Sequence, residues 1–284
     1  MTGARVRRES RSEDWRSASS PPPPMDEWVR TDTERSQPSP PGRAARAERP
    51  AILPADVATE IRRAADGATA RRKETLVERM ERAVQAYERG RYTEAARLGN
   101  ELTREVAGVA AVRRLAGFAS YRLGRWRDGA RHLRVYTDLT EEPDAVPALM
   151  DCQRALGRHR QLTDQWVALR HRSPEPELLA EARIVAAGSL ADRGQLADAI
   201  DLLVSAGANK SLRNPSDRHV RQWYALGDLY ERAGDLPRAR DLFARVARVD
   251  AEAYDVLERL DALGRPATPR RSPKKPSRGT NPPK

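Results

Sequence analysis

Histidine and cysteine, the side chains that most often bind metals or act as nucleophiles, are scarce in this sequence. The histidines are scattered along the chain at His132, His159, His171 and His219. No two of them have the spacing of a zinc motif such as HExxH. Cys152 and His159 are seven residues apart, the spacing of one helix face, but Gly157 is expected to end that helix. We therefore predict no metal site and no thiol–imidazole pair, and we expect Cys152 to be a buried core residue.

Motifs for phosphate binding and acyl transfer are also missing from the sequence. The segment AGANKS, residues 206–211, superficially resembles a phosphate loop, but a Walker motif needs glycine where this chain has Asn209 and Val204. Neither GxGxxG nor GxSxG occurs. The many carboxylates stand three or four residues from arginines, as solvated surface pairs on helices do. The sequence therefore predicts a protein that is not an enzyme and has no cofactor.

The composition indicates a soluble protein with a folded core. Of 284 residues, 39% are hydrophobic and 33% are charged. The single cysteine excludes an internal disulfide and favours a reducing compartment. There is no run of 18 apolar residues, and the N-terminus lacks the apolar centre of a secretion signal. We expect a cytoplasmic protein that does not contact membranes, and the composition leaves its oligomeric state open.

The two ends of the chain differ from its middle in proline content and charge. Residues 1–52 contain PPPP at positions 21–24, and residues 264–284 read GRPATPRRSPKKPSRGTNPPK. Both are too poor in apolar residues to offset the entropy of ordering, so the sequence predicts disordered tails around a folded domain over 53–263. The formal charge is +11, from 52 basic and 41 acidic residues. The last 21 residues hold seven basic side chains and no acid, so most of this charge lies in the C-terminal tail.

Between the tails, a glycine recurs at intervals that indicate a repeat. The series is Gly90, Gly124, Gly157, Gly194 and Gly234, at spacings of 34, 33, 37 and 40 residues. About 14 residues of helical pattern stand before each glycine and about 14 after it. This arrangement predicts a helix–turn–helix in which glycine ends the first helix. A hairpin of that size cannot bury both helices alone, so successive hairpins are expected to stack.

The fifth unit identifies the kind of repeat. Counted from Val220, it has large or small residues at the required places: Trp223 at 4, Leu226 at 7, Gly227 at 8, Tyr230 at 11, Gly234 at 15, Ala239 at 20 and Phe243 at 24. The unit resembles the tetratricopeptide repeat (TPR) consensus at seven of eight signature positions, with Ala251 in place of the proline at 32. The resemblance implies an all-α, TPR-like, right-handed superhelical solenoid of about five hairpins. Their expected positions are near 76–109, 110–143, 144–176, 180–213 and 220–251, followed by a capping helix over 252–263.

Four stretches of the core carry a narrower resemblance. They are ILPADV from residue 52, AAVRRLAGFASY from 110, MDCQRALG from 150 and IVAAGSLADRGQLADAI from 184. They are similar to segments of actinobacterial TPR proteins that have a disordered, Arg-rich N-terminal region. This resemblance spans most of 52–263, and it implies the architecture rather than a mechanism.

The TPR resemblance also implies which side chains line a concave groove. In TPR arrays these are positions 2, 5, 9, 12 and 13 of each first helix, and the candidates here are Tyr87, Arg114, Phe118, Tyr121, Arg122, Arg154, Arg221 and Tyr224. Aromatic rings beside arginines favour a peptide ligand, so our leading hypothesis is a non-catalytic scaffold that binds a protein segment. The alternative is a solvated wall in an Arg-rich chain. The lysine and asparagine that chaperone-binding TPR domains use are replaced by Met80 and Val84, so a chaperone C-terminus is not expected.

A second hypothesis is an RNA- or ribosome-associated protein. Residues 113–134 hold seven arginines and one acid, while residues 138–151 hold five acids and no base. The candidate anion-binding residues are Arg125, Arg270, Arg271, Lys274 and Lys275. The tail offers charge without aromatic residues, so we expect at most weak nucleic-acid contact from it. Equally, the acidic stretch can neutralise the arginines beside it.

One segment of the N-terminal tail stands out from its surroundings. The sequence MDEWV, residues 25–29, places a tryptophan and two acids in a region that is otherwise rich in Arg, Ser and Pro. It is a candidate docking motif.

Overall fold

The structure is a computed structural model that describes residues 53–172 and 174–264. The predicted N-terminal tail and residues 265–284 of the predicted C-terminal tail lie outside the described residues. In the described part the chain forms α-helices and no strands. The helices are α1 (Ala55–Ala64), α2 (Ala70–Glu88), α3 (Tyr92–Glu105), α4 (Ala110–Arg122), α5 (Trp126–Thr140), α6 (Val146–Ala155), α7 (His159–His171), α8 (Pro176–Asp192), α9 (Leu196–Val204), α10 (Asp217–Arg232), α11 (Leu236–Val249) and α12 (Val256–Gly264).

Ten of these helices form five hairpins that stack in chain order. The hairpins pair α2 with α3, α4 with α5, α6 with α7, α8 with α9, and α10 with α11. The first helices of successive hairpins also touch each other, from α2 to α4 and onward to α10. Helix α1 packs on α2 at one end, and α12 packs on α11 at the other. The predicted all-α, TPR-like stack of five hairpins is confirmed.

The recurring glycine ends the first helix of every hairpin. All five glycines of the series have φ between 66° and 83°. That left-handed conformation strains any residue with a side chain. The residue after each glycine donates its N–H to a carbonyl five residues back, at 2.8–2.9 Å, as in the pair from Arg91 to Ala86. This bond satisfies a carbonyl at the helix end, so the glycine spacing in the sequence marks a helix C-cap.

Small residues at position 8 let the two helices of a hairpin approach closely. A Cβ added to Gly117 would lie 2.5 Å from Leu133 Cδ2 and 3.1 Å from the Leu133 nitrogen. In the fifth hairpin, a Cβ on Gly227 would lie 2.8 Å from the ring of Phe243. All three distances are shorter than van der Waals contact, so glycine is required for the packing seen here.

The fourth hairpin departs from the repeat by burying an arginine. Arg183 occupies position 4, where the fifth hairpin has Trp223, and it is fully buried. Its guanidinium lies 5.5 Å from the ring centroid of Trp166, which is also fully buried. Burial, and then the charge of Arg170, lower the pKa of Arg183 to about 10. Cys152 is buried in the core as predicted, and its burial raises the pKa of the thiol.

One helix boundary differs from the prediction, and one docked connection explains an irregular glycine spacing. The capping helix begins at Val256 rather than at 252, because residues 251–255 form turns in which Tyr254 has φ +54°. The connection after α9 is docked on the fifth hairpin, since Trp223 Nε1 donates to the Lys210 carbonyl at 3.1 Å and Ala208 is fully buried. This docked segment accounts for the 40-residue spacing of the last two glycines.

Candidate binding surface on the first helices

Two exposed arginines and a half-buried aromatic ring of the predicted groove lie along α4. Arg114, Phe118 and Arg122 are four residues apart, so they share one side of the helix; we refer to these three residues as the α4 stripe. Both arginines are exposed, and Phe118 is half-buried against the core. The Arg114 guanidinium lies 5.1 Å from the ring centroid of Phe118. The stripe therefore presents an aromatic ring between two cations.

Aromatic residues of the first hairpin extend this surface. The guanidinium of Arg122 lies 5.1 Å from the ring centroid of Tyr92, which joins the second hairpin to the first. Tyr87 packs edge-on against Tyr92, with 5.3 Å between ring centroids, and it is half-buried. Val84, one turn earlier on α2, is also half-buried. The result is a surface of partly exposed apolar groups beside stacked guanidinium groups.

Two predicted groove residues, Tyr121 and Tyr224, are buried instead. They are 3% and 1% exposed. The Tyr121 hydroxyl donates to Asp151 Oδ2 at 3.2 Å, and the Tyr224 hydroxyl donates to Asp255 Oδ1. Burial, and then the bond to Asp255, raise the pKa of Tyr224. These hydroxyls connect one hairpin to the next element, so the prediction that both rings face a ligand is corrected.

Arg154 also connects helices. Its side chain is 12% exposed, and its Nε donates to Asp192 Oδ2 of α8 at 2.6 Å. Its Nη1 lies 3.5 Å from Asp151 Oδ1 on its own helix. Gly188 leaves room for this guanidinium, since a Cβ there would lie 3.1 Å from Arg154 Cζ. Arg154 therefore joins α6 to α8. The remaining predicted residue of this set, Arg221, is half-buried on α10.

The residue that closes the C-terminal end of this face, Arg259, was not among the predicted site residues. Arg259 of α12 lies 2.8 Å from Asp228 Oδ1, 2.9 Å from Glu231 Oε2 and 3.3 Å from Asp255 Oδ2. Its guanidinium also lies 5.5 Å from the ring centroid of Tyr224. The spacing of four residues between Asp255 and Arg259 was the only local signal of this cluster, because its other members belong to α10.

The seven arginines of residues 113–134 divide into groups with different roles. Arg114 pairs with Asp144 at 3.0 Å, as expected if the acidic stretch neutralises its neighbour. Arg113 and Arg131 both lie against His132. Arg125 is exposed, as are Arg127 and Arg134 of α5, and Arg122 is the exposed arginine that stacks on Tyr92. The candidate anion-binding residues Arg270, Arg271, Lys274 and Lys275 lie outside the described residues.

His132 is a buried histidine surrounded by polar partners. It is 1% exposed, and its Nε2 lies 2.9 Å from Asn100 Oδ1. Arg113 Nη1 lies 3.3 Å from Nδ1, and Arg131 Nη2 lies 3.2 Å from Nε2. Burial, and then the charges of Arg131 and Arg113, lower the pKa of His132 to about 4. The ring is therefore neutral at pH 7; its Nε2–H donates to Asn100 Oδ1, and its Nδ1 accepts from Arg113.

A cavity of about 510 Å³ lies elsewhere, between the connection after α9 and helix α11. Two arginines in its wall are held by the protein itself. Arg245 donates to the Asn209 carbonyl at 2.9 Å and to Asp241 at 2.6 Å, and Arg238 lies 5.4 Å from the ring centroid of Tyr230. Tyr230 in this wall is only 9% exposed, whereas Phe118 of the α4 stripe is half-buried, so the stripe is the stronger candidate for a binding surface.

Metal-binding groups and membrane-spanning helices are both absent from the described residues. Over 53–172 and 174–264, no three His, Cys, Asp or Glu side chains are grouped so that they could hold a metal ion. In the same residues no helix has the length and apolar character needed to span a bilayer.

Comparison with solved structures shows a likeness to a known repeat protein. The similar structure is a crystal structure of a thermophilic TPR protein from Thermus thermophilus. The match covers 66% of this chain and 98% of the Thermus chain, with 18% sequence identity and a TM-score of 0.49. No protein-family model matches the chain, and a search of the curated proteins finds no match. The five stacked hairpins, and not this likeness, identify the repeat as TPR-like. The resemblance to actinobacterial TPR proteins stays a prediction.

Proposed function

We propose that this protein is a non-catalytic scaffold that binds a segment of a partner protein on the first helices of its first two hairpins. The observation that supports the proposal is the α4 stripe, a half-buried aromatic ring between two exposed guanidinium groups. Arginine and aromatic residues supply much of the energy of protein interfaces, because they combine contact area with directed polar contacts. Stacked helical repeats generally present such surfaces to other proteins.

The chemistry of the stripe favours an extended segment with acidic and apolar side chains. Arg114 and Arg122 are eight residues apart, or about 12 Å along the helix. An extended peptide rises about 3.3 Å per residue, so carboxylates about four residues apart can reach both arginines. The pair between Arg114 and Asp144 does not prevent this, since its side chains are 52% and 40% exposed and such pairs contribute less than about 1 kcal/mol.

Charge reversal on the stripe tests the proposal. Arg114→Glu with Arg122→Glu is compared with Arg127→Glu and Arg134→Glu, which make the same charge change at exposed positions of α5. Partners are identified by crosslinking and mass spectrometry from cells that express each tagged full-length chain, with RNase-treated controls. We expect the α4 variant to lose partners that the α5 variant keeps. Equal partner sets for the two variants and the unmodified chain would overturn the proposal.

A further inference from the structure

The N-terminal region of this chain contains two short motifs with the composition that the α4 stripe favours. Glu13 and Asp14 precede Trp15, and Asp26 and Glu27 precede Trp28. The two tryptophans are the only aromatic residues in positions 1–52. Each therefore stands directly after two carboxylates, within a sequence dominated by Arg, Ser and Pro.

We propose that the motif at residues 26–28 binds intramolecularly to the surface formed by the α4 stripe and the first hairpin, in competition with partner proteins. Trp28 packs against Phe118 and Tyr87, and the carboxylates of Asp26 and Glu27 pair with arginines at the hairpin turns. This inference rests on the proposed function, because it uses the same surface.

The charges around this surface favour an acidic occupant. Arg89, Arg122 and Arg125 are all exposed at the turns that follow α2 and α4, and Glu88 is the exposed acid next to them. The two turns meet where Arg122 lies over Tyr92. Two carboxylates placed there gain attraction from an excess of positive charge, and an adjacent indole ring both stacks on guanidinium groups and excludes water from the ion pairs.

The connection between motif and surface is long enough. Residues 29–52 provide 24 residues between Trp28 and Leu53. A chain of that length reaches at most about 80 Å. Helix α1, which begins two residues after Leu53, packs on α2, so the tether starts beside the first hairpin. The motif at 13–15 has a tether of 37 residues, which lowers its effective concentration about twofold and makes 26–28 the favoured occupant.

A tethered motif must be displaced before another segment can bind, and this gives a quantitative test. Tethers of this kind produce effective concentrations of about 1 mM. Consider a separate peptide of the motif that binds the vacant surface with a Kd of about 100 μM. Its affinity for the unmodified chain would then be roughly tenfold lower than its affinity for a chain whose own motif is removed.

The probe is a fluorescein-labelled peptide of residues 22–33, titrated by anisotropy into full-length proteins. The tail variant carries Asp26→Ser, Glu27→Ser and Trp28→Ser, and the surface variant adds Arg122→Glu and Arg125→Glu to it. We expect the tail variant to bind the peptide at least fivefold more tightly than the unmodified chain, and the surface variant to lose binding. Circular dichroism confirms that each variant keeps its helical content.

Several outcomes would overturn the inference. If the tail variant and the unmodified chain bind equally, the surface accepts the segment but its own tail does not occupy it, and the proposed function stands. If serine substitutions at residues 13–15, and not those at 26–28, raise the affinity for the peptide, the occupant is the motif at 13–15. Binding that survives the two arginine changes would place the peptide elsewhere. If no variant binds the peptide, the inference fails, and the partner comparison described above still decides the proposed function.

Discussion

At the scale of single residues, His132 is the clearest case of a side chain whose charge the fold excludes. Its ring is buried between Asn100, Arg113 and Arg131, and only the charge of Asp128, which pairs with Arg131 at 2.9 Å, acts to raise its pKa. Protonation would place a third positive charge in this contact between α3 and α5. The folded state therefore holds the pKa near 4, below the value of about 6.5 in an unfolded chain.

Stability should consequently fall as the pH falls from about 6.5 towards 4, because the unfolded state then binds a proton that the folded state does not. We expect the titration of His132 to lower the free energy of unfolding by about 2 kcal/mol between pH 7 and pH 5. Urea unfolding at the two pH values measures it, with His132→Gln as the control that removes the titrating group. A loss of the same size in both proteins would show that His132 is not the cause.

Gly117 tests the close approach of two helices at the same scale. Its hydrogen faces the backbone nitrogen of Leu133, which cannot move without shifting α5. Gly117→Ala should lower the free energy of unfolding by about 2 kcal/mol. Gly108→Ala is the matched control, since a Cβ there meets nothing within 4 Å and its φ is not positive. Equal urea midpoints for the two variants would contradict the packing described here.

Sequence patterns predicted which residues stand on the first helices, but not which of them the neighbouring hairpin would bury. Phe118 and Tyr121 are both groove positions of α4, yet Phe118 is half-buried while Tyr121 is buried with its hydroxyl on Asp151. That carboxylate is 30 residues away in sequence, on the next hairpin. A contact between repeats leaves no local spacing to detect, so burial by a neighbour could not be predicted from one sequence.

At the scale of elements, charged pairs on the first-helix face join the second hairpin to the third and the third to the fourth. Arg114 pairs with Asp144 across α4 and the start of α6, and Arg154 pairs with Asp192 across α6 and α8. The sequence suggested Arg114 and Arg154 as ligand contacts, and both also connect neighbouring hairpins. The helices themselves were predictable, because the glycine at each C-cap and the small residue at position 8 are local requirements.

The capping helix α12 depends on Arg259. Removing this side chain leaves Asp228, Glu231 and Asp255 without their shared cation, while the rings of Tyr224 and Phe243 lose a stacked guanidinium. Arg259→Ala should weaken the docking of α12 by about 2 kcal/mol. Amide hydrogen exchange in α11 should accelerate roughly 30-fold as a result.

Arg248→Ala is the matched control for this experiment. Arg248 is exposed near the end of α11, and its Nε bonds to the Ala244 carbonyl of its own helix. Exchange in α11 should be nearly unchanged by that substitution. Faster exchange in both variants to the same degree would mean that α12 does not depend on the Arg259 cluster.

At the scale of the whole molecule, the charge of +11 is unevenly distributed along the chain. Residues 265–284 carry seven basic side chains and no acid, whereas the arginines of the helical stack are matched by nearby carboxylates in many places. We expect affinity for generic RNA, measured at two salt concentrations, to be weak and to require these last residues. Affinity that persists without them would assign RNA binding to the helices and support the second hypothesis.

The central claim is that partner proteins lie on the first helices of the first two hairpins. It is tested most directly with a photocrosslinking amino acid placed at Glu88 on α2 or at Arg134 on α5, both of which are exposed. The crosslinked products from cells are compared by mass spectrometry. We predict partner proteins crosslinked from position 88 and not from position 134. Partners crosslinked only from position 134, or equally from both, would contradict the account.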